Sequence, residues 1–103
     1  MRREAALAGG ATVTMPFPDE VVTDVTRRLR RVEGQIRGVQ GMLAEGRECR
    51  DVVAQLSAAT RALEQAGLRL VSAGLTYCLE HPEEAAAAGY GPAEMERMVM
   101  RLT

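Results

Sequence analysis

Two long stretches of this chain space their apolar residues in alternating steps of three and four, which keeps one stripe of a helix facing a partner. The first stripe is Val22, Val25, Leu29, Val32, Ile36, Val39 and Leu43. It predicts a helix from near Asp19, after Pro16 and Pro18, to about Gly46, with Gly46 as the residue just past the end. The second stripe is Val52, Leu56, Ala59, Leu63, Ala66, Leu70, Ala73 and Tyr77. It predicts a helix from about Glu48 to Glu80, stopped by His81 and Pro82. Val53, Gly67, Val71, Gly74 and Leu75 widen that stripe beyond what a two-helix hairpin covers, and a second copy of the chain is the economical cover. Gly34, Gly38 and Gly41 mark either a strip where another backbone comes close or a plainly weaker helix. After the alanine-rich linker PEEAAAAGYG, itself partly helix-forming, Pro92 opens a short third helix with Met95, Met98 and Val99 on its apolar side. No strand pattern interrupts this order, so the expectation is an all-α protomer of three helices.

The chain has 103 residues, no Trp, and only Phe17, Tyr77 and Tyr90 as aromatics. Such small side chains give a lone protomer a thin core, which again favours oligomers. One domain is expected over residues 18–103, behind a flexible tail at residues 1–17. That tail lacks the apolar core of a signal peptide, and no run approaches the roughly 18 apolar residues of a membrane span, so the expected location is the cytoplasm.

Cys49 and Cys78 are too few for a disulfide framework; in a reducing compartment such a pair binds metal, catalyses or senses redox state. They stand about 29 residues apart on one expected helix, roughly 20° past eight full turns and roughly 43 Å along the axis. A disulfide needs Cα atoms within about 7 Å. The thiols therefore share a helix face yet cannot meet within one protomer. Antiparallel pairing with a copy brings Cys49 of one chain beside Cys78 of the other, twice per dimer. The alternative is two unrelated core cysteines. At its helix start Cys49 lies between Arg47 and Arg50, which favour the thiolate, while Glu48 and Asp51 oppose it.

The formal net charge is −1, yet all 13 basic residues are arginine and their placement is uneven. Arg27, Arg28, Arg30, Arg31 and Arg37 against Glu33 concentrate positive charge on one helix, whereas the C-terminal segment is acidic. A basic face on a near-neutral chain suits phosphate binding, with Arg28 and Arg31 as first contacts, Arg27 and Arg37 behind them, and Arg61 from the second helix. Nothing in the spacing assigns Arg69. The alternative is a solvated face with pairs such as Asp24 to Arg28 and Arg27. His81, the only histidine, either caps the helix end or forms a metal half-site with Cys78. Without a C-x-x-C, phosphate loop, nucleophile elbow or paired acid and base, the chain is not expected to be an enzyme.

The stretch RRLRRVEGQIRGVQGMLAEGRECRDVVAQLSAATRALEQAGLRLVSAGLTYCLE resembles the CsoR/RcnR family of bacterial transcriptional repressors, most specifically from Arg28 to Met42 and from Cys49 to Ala58. The resemblance implies an antiparallel dimer forming a four-helix bundle, two dimers in a disc-like tetramer, and operator DNA bound without a helix-turn-helix. Copper sensors of the family carry Cys, His and Cys at the positions held here by Cys49, Gly74 and Cys78. Gly74 cannot coordinate a metal, and the same gap counts against formaldehyde sensors. Nickel and cobalt members need a histidine near the N-terminus, which is missing. A cysteine pair without histidine is similar to the CstR-like branch, which senses persulfides and polysulfides. That branch implies a thiol switch with no cofactor. Cys49 attacks the outer sulfur of a reactive sulfur species, Cys78 of the partner subunit resolves it, and the cross-link releases DNA. The alternative is a copper(I)-responsive repressor using Cys49, Cys78 and His81, kept open by Glu94, which aligns with an acidic position beside the copper site.

Overall fold

The computed structural model describes residues 17–102. The tail expected at residues 1–17 therefore lies, apart from Phe17, outside the described residues. Four helices follow in order: α1 (Asp19–Ala44), α2 (Cys49–Glu80), α3 (Pro82–Ala87) and α4 (Pro92–Leu102). No strand occurs among the described residues. The three-helix expectation is thus corrected to four, because the alanine-rich linker closes into α3. Its causes are local: Pro82 opens the first turn, Glu83 and Glu84 follow it, and alanine is the best helix former. None of these helices is long and apolar enough to cross a membrane.

Residues 19–70 form one compact unit and residues 71–102 belong to another. In the first, α1 and the start of α2 make an antiparallel hairpin. Its turn is a Schellman closure: Arg47 N–H donates to Met42 O at 3.0 Å and Gly46 N–H to Leu43 O at 3.2 Å. Gly46 carries φ +71°, the left-handed conformation that this closure needs and glycine adopts without penalty.

The heptad stripes divide rather than bury whole. Val25, Val32 and Val39 on α1 are at most 8% exposed, and Val52, Ala59 and Ala66 on α2 at most 9%. The members between them, Leu29, Ile36, Leu43, Leu56 and Leu63, are 44% exposed or more. Valine and alanine rows let two helices approach closely, and the bulkier leucines are left outside. A Cβ at Gly34, Gly38 or Gly41 would meet nothing within 4 Å, so among the described residues no backbone comes close to that glycine strip.

In the unit of residues 71–102, Ala85 and Met95 are the buried apolar side chains, at 1% and 3% exposure. A second Schellman closure ends α3: Tyr90 N–H donates to Ala85 O at 2.8 Å and Gly89 N–H to Ala86 O at 3.0 Å, with Gly89 at φ +87°.

Candidate functional site

Both cysteines are free thiols on α2. Cys49 is the first residue of that helix and is exposed, in a shallow recess with Glu48, Arg50 and Val53. Of its basic neighbours, Arg47 lies with Nη1 3.9 Å from Glu45 Oε1, so that guanidinium is shared with a carboxylate. Cys78 is half-buried, and its thiol donates to the Tyr90 carbonyl oxygen at 3.1 Å. The closure at Gly89 fixes where that carbonyl lies. The sequence reading missed this partner; the Gly89-Tyr90-Gly91 run was its signal.

His81 does not cap a helix with its imidazole. Its backbone joins two helices instead: the N–H donates to Tyr77 O at 2.7 Å, and the carbonyl accepts from Ala85 N–H at 2.9 Å. The exposed ring stands against Tyr77 with centroids 4.8 Å apart. Gly74 is buried. Glu94 is engaged by Arg97, whose Nε and Nη2 donate to Oε1 at 3.1 and 2.9 Å. Among the described residues no three His, Cys, Asp or Glu side chains converge to hold a metal. The donors nevertheless suit a soft cation: two thiols, one exposed and one half-buried, neither tied in a disulfide.

The arginine face is more organised than the sequence suggested. Arg28 Nε donates to Asp24 Oδ2 at 3.2 Å, and Arg27 Nη1 lies 3.8 Å from Asp24 Oδ1. These are the intrahelical pairs weighed above. A third arginine joins them from the other helix: Arg69 Nε donates to the same Asp24 Oδ2 at 3.2 Å. Asp24 and Arg69 are about equally distant from the turn at Gly46, so folding the hairpin back brings them level. Partial desolvation would raise the Asp24 carboxyl, but the guanidinium groups of Arg28 and Arg69 outweigh it and hold the group below its ordinary value. Arg30, Arg31, Arg37 and Arg61 are exposed, with no ion pair among the described residues. Beside the cluster, Arg28 and Arg31 line a small recess with Gln35, Ala62 and Gln65, a grouping that residue spacing does not reveal.

Residues 22–102 match the family of metal-sensitive transcriptional repressors, and the chain belongs to that family. The copper-sensing transcriptional repressor RicR of Mycobacterium tuberculosis is 47% identical over 53 residues, which are 52% of this chain and 55% of that protein. The copper-sensing transcriptional repressor CsoR of Bacillus subtilis is 38% identical over 55 residues, 53% of this chain and 54% of that one. The chain thus spans about half the length of these curated relatives. The crystal structure of the copper-sensing repressor CsoR with Cu(I) from Geobacillus thermodenitrificans NG80-2 is similar at TM-score 0.66 and 33% identity, over 88% of this chain and 91% of that one.

These findings correct one expectation. The assignment of no cofactor is overturned, because both relatives sense copper and the similar structure holds Cu(I). Family membership holds, whereas the persulfide-sensing branch gains no support from them. The relatives are repressors rather than enzymes, in agreement with the absence of catalytic motifs.

Proposed function

We propose that the chain is a cytoplasmic, homotetrameric repressor that binds operator DNA through its arginine face and releases it on binding copper(I). Cys49 of one subunit and Cys78 of the partner subunit would hold the metal, with His81 as a third donor. The observation that carries this reading is the pair of free thiols at the two ends of α2, in a chain whose relatives sense copper. Bound there, copper(I) would supply a soft-ligand bridge between two subunits. The residues must change state to accept it. Cys49 is exposed and need only lose its proton. Cys78 must also give up the Tyr90 carbonyl, and its proton passes to solvent. His81 must leave the face of Tyr77.

The test is copper(I) titration against a competing chelator. Cys49→Ser and Cys78→Ser should each weaken binding by more than about 100-fold, and His81→Ala by about tenfold, with DNA release lost in parallel. Unchanged affinity in either serine variant would refute the ligand set.

Gly74 favours a second reading, since no side chain there can complete a metal site. In that case Cys49 thiolate attacks the outer sulfur of a persulfide, forming Cys49 persulfide and expelling a thiolate. Cys78 of the partner subunit then closes the disulfide and expels hydrosulfide. Polysulfide that cross-links subunits and releases DNA, with copper(I) inert, would establish it.

A further inference from the structure

We infer that Asp24 is a positioning residue that assembles Arg28 from α1 and Arg69 from α2 into one clamp for a DNA phosphate. The inference rests on the DNA-binding reading above and extends it to two residues, Asp24 and Arg69, that the sequence did not place on the DNA face.

Three arginines surround a single carboxylate, so the cluster keeps a surplus of positive charge after pairing. A neutralising surface pair would leave none. The manner of attachment is equally telling. Arg28 and Arg69 each spend only Nε on Asp24, and both reach the same oxygen at 3.2 Å. A guanidinium has five N–H donors in a rigid fork. The Nη groups of both arginines take no hydrogen bond among the described residues, and the side chains stay 41% and 36% exposed. Two forks from two helices are therefore held by their inner edges, with their outer donors free. Bidentate, planar recognition of a phosphate needs that presentation.

Fixing the forks before DNA arrives also lowers the ordering cost of binding, because long side chains lose rotamer freedom when they dock. Arg27, near the other carboxylate oxygen, adds charge at the rim. The recess of Arg28, Arg31, Gln35, Ala62 and Gln65 continues the surface from Arg28, so a backbone seated on the clamp has its next donors at hand.

The test measures binding of a random-sequence DNA duplex across a salt series. Arg101→Ala, on α4, sets the baseline for losing one positive charge. Arg69→Ala should weaken binding about tenfold and flatten the salt slope by about one per contacting subunit, as should Arg28→Ala. Arg69→Lys keeps the charge without the fork and should fall between. Asp24→Asn gives the sharpest arm. It makes every subunit more positive, so a merely neutralising Asp24 predicts tighter binding, whereas the clamp predicts weakening of about threefold. Unchanged helical circular dichroism and copper(I) affinity show that each variant is folded. If the parent chain ignores DNA, the DNA reading fails and the clamp falls with it. If the parent binds but Arg69→Ala matches Arg101→Ala, or Asp24→Asn binds tighter, the clamp alone is overturned.

Discussion

Around Asp24, arginines from two helices already converge within one chain, whereas Cys49 and Cys78 occupy the two ends of α2, each without a converging ligand set. The difference follows from hairpin geometry. Folding back at Gly46 brings residues equidistant from the turn level with one another, and Asp24 and Arg69 satisfy that condition. Residues at opposite ends of one helix never do. A site of the first kind is finished when the protomer folds; a site of the second kind waits for another copy. DNA binding and sensing are therefore expected to respond differently to mixing of variants.

Mixing breaks or sharpens this contrast most strongly. Cys49→Ser and Cys78→Ser proteins, each defective alone by more than about 100-fold, should recover about a quarter of the high-affinity copper(I) sites when unfolded together and reassembled. Half of the random dimers are mixed, and one of the two sites in each holds both cysteines. Chelator competition on the mixture measures this. No recovery would place the thiols in separate sites. The equivalent mixture of Arg28→Ala and Arg69→Ala should recover no intact clamp, because that clamp needs both residues on one chain.

A second, smaller effect separates the two halves of the heptad stripe. Val32→Ala opens space at a buried position and should cost about 1–2 kcal/mol at any protein concentration. Leu63→Asp alters a position that is 49% exposed, where a monomer would shift by no more than about 0.5 kcal/mol. Sedimentation should instead show that it dissociates the oligomer, with loss of copper(I) binding.

The smallest effect is one of pH. The carboxyl of Asp24 is held below its ordinary 3.8 by Arg28 and Arg69. A depressed carboxylate contributes stability that is fully present above that value and is lost as pH falls through its lowered folded-state value. Denaturant midpoints of the parent and Asp24→Asn should therefore differ at neutral pH and converge in acid. A gap that persists in acid would show that the carboxylate's charge is not what holds the arginines.

The long helices were legible because a repeated stripe is a one-dimensional signal: helices cover Val22 to Leu43 and Val52 to Tyr77, although at the first turn Val21 is buried in place of the expected Val22. Division of each stripe was not legible. Val25 and Leu29 look alike in a heptad, and only packing decides that valine turns inward while leucine stays in water. The helix at Pro82–Ala87 shows in the sequence only as a partly helix-forming linker, because six residues hold too little pattern to count as an element, although its ends carry ordinary start and stop residues. Among site residues, Cys49, Cys78 and Arg28 stood out by type and spacing. Arg69 and the Tyr90 carbonyl did not, since one is paired across a turn and the other is a backbone atom.

The exposed leucines and isoleucine of the stripes have a consequence for how such a chain behaves in a cell. Covered by a second copy, Leu29, Ile36, Leu56 and Leu63 would tie the folded fraction to the number of copies present. Dilution then acts as a denaturant, and the melting temperature climbs with concentration. A repressor built in this way reads its own abundance as well as its inducer, because the assembly that completes the sensor also keeps the protein folded.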